Sequence, residues 1–248
     1  VSPTQISLEL IPRTRSGLRA ELATVREQFP AVSTVNIPDL TRFSTRSWEA
    51  CAFGRPHFRT IPHVRAIDLN PKEPLPMAGP LVAHGIEDVL IITGDAPSDM
   101  NRRVYPVDAE QAIRRFTREL PHVRVYAGLD PYRQSFAQER DYLERKLEAG
   151  AVGFFTQPFF DLRLMDAYAD LIPEGAEVWW GLTNVTTEGS MNYWASRNRA
   201  VYPRSFEPTL EWNRCLAQAA LKFARERSQH IYFQPIRTDV VEYLGGIV

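Results

Sequence analysis

Short apolar runs alternate with amphipathic stretches from one end of this chain to the other, and that alternation constrains its fold more than any other feature. Strand-like runs are expected near 6–11, 32–37, 60–66, 88–93, 124–128, 153–156, 177–182 and 231–234. Helical patterns are expected near 15–28, 45–53, 80–84, 108–120, 136–149, 162–171, 190–196 and 209–228. Val89-Leu-Ile-Ile92 is apolar on both faces, as a parallel strand between an interior and a helix layer must be. Eight strands alternating with helices predict an α/β chain closed as a single-domain (β/α)8 TIM barrel spanning residues 1–248, not an open sheet. No long Gly/Ser-rich or charged linker interrupts the pattern.

The clearest helix, 136–149, sets Phe136, Leu143 and Leu147 on an apolar face with Glu139, Arg140, Glu144, Arg145 and Glu148 mostly toward water, and Gly150 stops it. In 108–120 an acidic start complements the helix dipole, and Ile113, Phe116 and Leu120 predict an inward face.

A formal net charge of -1, with arginines scattered along the chain, lacks the basic stripe that nucleic-acid binding needs. No apolar run approaches membrane-spanning length and no leader pattern opens the chain. Cys51 and Cys215 are too few and too distant for a disulfide framework or a CxxC site. A soluble, cytoplasmic protein is therefore expected, with no nucleic-acid or membrane partner; the oligomeric state is left open. His57, His84, His122 and His230 form no HExxH or comparable pair, so no metal site is expected. GxGxxG, Walker and GxSxG motifs are all missing.

Polar residues collect at the carboxyl ends of the predicted strands, where barrel enzymes carry their chemistry. Glu9, between Leu8 and Leu10, is either ion-paired or a proton donor or cation stabiliser. Asp95 follows Gly94, whose missing side chain lets backbone approach a ligand; a helix cap or turn aspartate is the plainer reading. His63 after Pro62 decides nothing alone. Gln157 carries an amide donor and acceptor that suit a heteroaromatic edge such as a pterin, or else satisfies a loop. Of the aromatics around it, Phe154, Phe155, Phe159 and Phe160, most belong to the core and one is available to stack on a flat ligand.

Four ordered segments resemble the methylenetetrahydrofolate reductase family of flavoprotein barrels. Lys146-Leu-Glu-Ala-Gly-Ala-Val-Gly-Phe-Phe-Thr-Gln-Pro-Phe-Phe-Asp161 is similar to K-x-x-A-G-A…T-Q-x-F-F-D, and Gly85-Ile-Glu-Asp-Val-Leu-Ile-Ile-Thr-Gly-Asp95 to G-I…L-R-G-D. Ser7-Leu-Glu-Leu-Ile-Pro12 is similar to S-F-E-F-F-P, and Pro62-His63 with Asp68 to P-H-L-T…D. The resemblance implies interconversion of 5,10-methylenetetrahydrofolate and 5-methyltetrahydrofolate by hydride transfer, with FAD as cofactor, NAD(P)H as electron partner and folate as substrate. It implies that Glu9 aids iminium formation at the one-carbon bridge and that Asp95 acts at both pterin and flavin. Gln157 and Phe159 are the expected folate contacts. His63, Thr93, Gly94, Asp95, Tyr105, Ala127, Glu139, Arg145 and Lys146 fall where the family binds FAD.

The departures are local. Thr93 replaces the arginine of R-G-D, and Glu139 stands where an aspartate is usual. Ala127-Gly-Leu-Asp-Pro-Tyr132 replaces A-Y-P-E-x-H, and Trp180-Gly-Leu-Thr-Asn-Val185 replaces P-G-I-x-P. Folate-facing residues persist while the loops after strands five and seven differ, so the chain is expected to handle reduced nicotinamide poorly and to work better as an oxidant of 5-methyltetrahydrofolate or with an electron partner other than NADH. Rival readings are a folate-dependent methyltransferase-type barrel without flavin and a non-catalytic folate- or flavin-binding subunit.

Overall fold

The computed structural model describes residues 3–96 and 103–248. Eight parallel strands, β1 (Ile6–Glu9), β2 (Val32–Ile37), β3 (Arg59–Arg65), β4 (Asp88–Ile92), β5 (Arg124–Leu129), β6 (Gly153–Thr156), β7 (Glu177–Thr183) and β8 (His230–Gln234), close in sequence order into a barrel. Around it run α1 (Arg15–Gln28), α2 (Ser47–Gly54), α3 (Ala78–His84), α4 (Ala109–Glu119), α5 (Phe136–Glu148), α6 (Leu162–Ala169), α7 (Glu188–Arg197), α8 (Leu210–Glu226) and α9 (Val240–Leu244). The expected (β/α)8 barrel is therefore what the chain forms. The short α9 has no counterpart in the sequence reading, because five residues give too little periodicity to see.

Period-two alternation sorts the strand residues into two cores. Ile61, Leu90, Tyr126, Phe155, Trp179 and Tyr232 fill the barrel interior, with Phe155 stacked on Trp179 at 5.0 Å. Their neighbours, among them Leu8, Val35, Val89, Ala127 and Phe154, face the helices. Close contact between β6 and β7 needs Gly153, where a Cβ would lie 2.1 Å from the Glu177 carbonyl oxygen.

Helix starts follow the expected chemistry. Asp108 and Ser135 cap α4 and α5, each in a reciprocal box with the glutamine three residues on. Ile113 and Phe116 of α4 are buried as predicted. The facing of α5 differs from the expectation. Glu139 and Lys146 are buried and Phe136 is 46% exposed, because residues 139 and 146 lie two turns apart on the stripe that overhangs the barrel mouth. Burial there is tolerated through local partners: Gln134 Nε2 donates to Glu139 at 2.6 Å, and the Lys146 ammonium donates to the Gly128 carbonyl at 2.6 Å while lying 3.6 Å from the Tyr142 ring. Cys51 is buried in α2 and Cys215 is exposed on α8.

Candidate active site at the carboxyl ends of the strands

A cavity of about 310 Å³ opens at the carboxyl ends of the strands, bounded by residues from β1, β3, β4, β5, β6 and β8 and overhung by α5. Its size suits a compact heterocyclic ligand. Tyr232 and Phe155 form part of its floor; the Tyr232 hydroxyl donates to the Thr156 carbonyl.

Glu9 occupies one wall. The strands put it beside Asn36, its register partner on β2, and β8 brings Gln234 to its other side. Asn36 Nδ2 donates to Glu9 Oε2 at 3.1 Å, and Gln234 Nε2 donates to the same oxygen at 2.9 Å. The side chain is 13% exposed, and loss of water outweighs these two hydrogen bonds, so its pKa rises from 4.5 to about 7. Burial thus lets the carboxyl hold a proton far closer to neutral pH than an exposed glutamate does.

His63 stands next to this pair without charging it. Its Nε2 lies 3.1 Å from Asn36 Nδ2 and 3.9 Å from Glu9 Oε2. Ser7 Oγ donates to Asn36 Oδ1 at 2.7 Å, which turns the amide nitrogen toward Glu9 and His63 and makes His63 Nε2 an acceptor. Burial lowers the His63 pKa to about 3, so the ring stays neutral and Glu9 lacks a cationic partner there.

On the opposite side, Thr93, Gly94 and Asp95 line the cavity from the loop after β4. Gly94 has φ +87, a conformation that favours glycine. Gln157 follows β6, and its backbone N–H donates to the Leu129 carbonyl at 2.7 Å, which points the residue into the mouth. Glu139 and Lys146 complete the overhang. Burial raises the pKa of the first and lowers that of the second to about 8. Glu139 Oε1 has no hydrogen-bond partner among the described residues.

Glu9, His63, Thr93, Gly94, Asp95, Glu139, Lys146 and Gln157 therefore share one cavity. Four expected site residues do not line it. Phe159 is fully buried among Tyr132, Tyr168 and Trp180, because the chain turns at Pro158 and sends it toward the helices. The inward-facing aromatic is Phe155. Ala127 sits on the helix-facing side of β5, and Tyr105 is partly buried beyond the mouth with its N–H bound to the Ile67 carbonyl at 2.8 Å. Arg145 is half exposed and pairs with Glu110 at 2.9 Å. Asn36 and Gln234 escaped the sequence reading; Asn36 is the next-to-last residue of its predicted strand and Gln234 the last of its own, each with an amide on the inward alternation, a signal that only the register makes specific. Among the described residues no cluster of three or more His, Cys, Asp or Glu could hold a metal ion, and no helix is long and apolar enough to cross a membrane.

The model of the family described as methylenetetrahydrofolate reductase matches residues 6–191, a span that holds every cavity residue except those of β8. The chain belongs to the methylenetetrahydrofolate reductase family. Membership in this family supports an oxidoreductase acting in folate one-carbon chemistry. No curated protein matches the sequence. Among solved structures it resembles 2,3-dimethylmalate lyase, at TM-score 0.59 and 9% identity over 95% of this chain and 75% of that one. Oxaloacetate acetylhydrolase, solved with 3,3-difluorooxalacetate, gives TM-score 0.55 and 8% identity over 94% and 75%. A putative deoxyribose-phosphate aldolase from Coccidioides immitis gives 0.50 and 15% over 73% and 74%. At such identities the likeness is one of barrel fold alone.

Proposed function

We propose that this barrel interconverts 5,10-methylenetetrahydrofolate and 5-methyltetrahydrofolate by hydride transfer, with Glu9 as the acid. The observation that carries the reading is the Glu9 carboxyl, desolvated to a pKa of about 7 and held by the amides of Asn36 and Gln234 in the wall of the cavity. In the reductive direction a proton given to N10 opens the N5–CH2–N10 bridge, and a hydride delivered to the resulting N5 iminium carbon makes the methyl group. One proton and one hydride are consumed, and the reverse reaction returns both. Neutral Glu9 can donate that proton; its anion, left behind, stabilises the iminium cation. Gln157, whose side-chain amide has no hydrogen-bond partner among the described residues, offers a donor and an acceptor to the pterin edge. Asp95 brings a carboxylate to the same mouth.

The flavin implied by the resemblance meets an incomplete set of residues. FAD supplies a hydride-accepting isoalloxazine when bound, and its diphosphate needs cationic or N–H donors. Here Arg145 is turned away onto Glu110, Lys146 is committed to the Gly128 carbonyl, and the buried Glu139 carboxylate sits in the wall instead. Two missing charge-assisted hydrogen bonds cost about 3–6 kcal/mol, roughly the difference between a nanomolar resident cofactor and a micromolar exchangeable substrate. The residues do not fit a resident FAD.

That observation favours, against the expectation of poor nicotinamide use, a reduced nicotinamide as an exchangeable hydride donor beside the folate, with Glu139 Oε1, which has no hydrogen-bond partner among the described residues, as acceptor for a ribose hydroxyl. The absorption spectrum of the purified protein and two-substrate kinetics test both statements. A colourless enzyme with intersecting NADH and folate plots supports direct transfer; bound flavin with parallel plots supports the flavin route. No folate turnover with either donor refutes the function.

A further inference from the structure

We propose that Arg65 positions Asp95 over the cavity, a proposal that rests on the folate reading above. Arg65 ends β3, and its Cα pairs with that of Ile92, three residues before Asp95. Its side chain is 11% exposed and the residue lines the cavity. Nη2 donates to the Asp95 carbonyl at 2.6 Å, and Nε lies 3.2 Å from Asp68 Oδ2. Asp68 Oδ2 in turn lies 3.7 Å from Arg46, which also binds the buried Asp39. The guanidinium is therefore anchored on one side and grips the loop backbone on the other.

The grip depends on Gly94. A Cβ there would lie 3.1 Å from Arg65 Cβ and 3.2 Å from Arg65 Nε, so a side chain at 94 would press on the arginine that reaches past it. The other end of the loop is held from the same platform: the Ile67 N–H donates to the Thr93 carbonyl at 3.2 Å. Two donors from β3 and the turn after it thus fix the backbone on either side of Gly94. The Asp95 side chain itself is exposed, so its place over the cavity is set by this backbone. Lysine cannot reproduce the arrangement, because one ammonium lacks the spread of the guanidinium fork that reaches Asp68 and Asp95 together.

The sequence carries a matching exchange. Set beside the P-H-L-T and L-R-G-D motifs that the chain resembles, Arg65 stands at the threonine and Thr93 at the arginine, so the two residue types are exchanged across neighbouring strand ends. The loop keeps an arginine, now delivered from β3.

The test uses the full chain with Arg65→Thr, Arg65→Lys, Asp95→Asn, the double variant Arg65→Thr/Asp95→Asn, and the exchange Arg65→Thr/Thr93→Arg. Steady-state folate kinetics, melting temperature and amide hydrogen exchange over 93–96 are measured for each. Arg65→Thr is expected to lower kcat/KM for the folate by about 10- to 100-fold, the effect of losing one charge-assisted contact. In the Asp95→Asn background the same change should cost less than threefold, because Arg65 acts through Asp95. Exchange at 93–96 should rise in Arg65→Thr and fall back in the swapped variant, with Arg65→Lys intermediate. Full multiplication of the Arg65→Thr and Asp95→Asn losses, or unchanged exchange at 93–96, would overturn the proposal. Should Arg65→Thr fail to fold, Arg65→Lys and the swapped variant decide by the same two readouts. Absence of folate turnover in the native chain would refute the function, while the exchange measurement would still decide whether Arg65 holds the loop.

Discussion

Asn36 and Glu9 are register partners on β2 and β1, and the Asn36 amide donates to the Glu9 carboxylate at 3.1 Å while its second N–H faces His63 Nε2 at 3.1 Å. One amide therefore links the acid to a histidine that burial keeps neutral. The acid is tuned by desolvation and moderated by the hydrogen bonds of Gln234 and Asn36.

Removing the moderator should move the acid. Asn36→Ala deletes a hydrogen bond that favours ionised Glu9, so its pKa should rise from about 7 by roughly one unit. The limb of the pH–rate profile that reports loss of the protonated acid should shift to higher pH. A profile that stays in place would detach Glu9 from that limb.

The same burial has a cost in stability. Glu9 titrates near 4.5 when unfolded and about 7 when folded, so folding is unimpaired below pH 4.5 and is progressively penalised as pH rises through 7. Glu9→Gln should match the native chain at pH 4 and exceed it by up to about 3 kcal/mol at pH 9. Denaturant melts at the two pH values check this; equal stability at both would show that the folded carboxyl is not strongly desolvated.

Lys146 and Arg145 are sequence neighbours with different surroundings. Lys146→Met removes the only one of these two charges that lines the cavity and, although its hydrogen bond goes to the Gly128 carbonyl, should weaken binding of a nucleotide hydride donor several-fold through loss of its positive field, whereas Arg145→Ala should leave it unchanged because that side chain pairs with Glu110. Titration by tryptophan fluorescence separates them. Equal weakening in both variants would place a phosphate contact at Arg145.

At the opposite end of the barrel, Arg59 donates to both oxygens of Asp88, at 2.8 and 2.6 Å, and to the Tyr126 hydroxyl at 2.8 Å. Asp88→Ala strands this largely buried guanidinium and should cost about 3 kcal/mol of stability while leaving turnover per folded molecule intact. A loss of turnover without loss of stability would contradict the division between a structural base and a catalytic rim.

The barrel was legible in the sequence because eight apolar runs and their helices are strongly periodic, and the strand-end rule brought Glu9, His63, Asp95 and Gln157 into view. What escaped depends on register and on side-chain direction past the strand ends. Asn36 and Gln234 belong to no motif and matter only because closure sets them on either side of Glu9. Phe159 and Phe155 differ in sequence by four residues, yet one turns into the outer core and the other floors the cavity. Glu139 was expected mostly toward water because charge in a helix ordinarily is; the overhang above the mouth buries both it and Lys146.

Glu9, in the proposed reaction, supplies the proton that opens the folate bridge. Rapid mixing of native and Glu9→Gln protein with 5,10-methylenetetrahydrofolate and a hydride donor measures it in a single turnover, with donor affinity determined beside it. Donor binding should be unchanged and the folate step slowed by about a hundred-fold or more. A Glu9→Gln protein that reduces the folate at the native rate would make Glu9 a structural residue and contradict the mechanism.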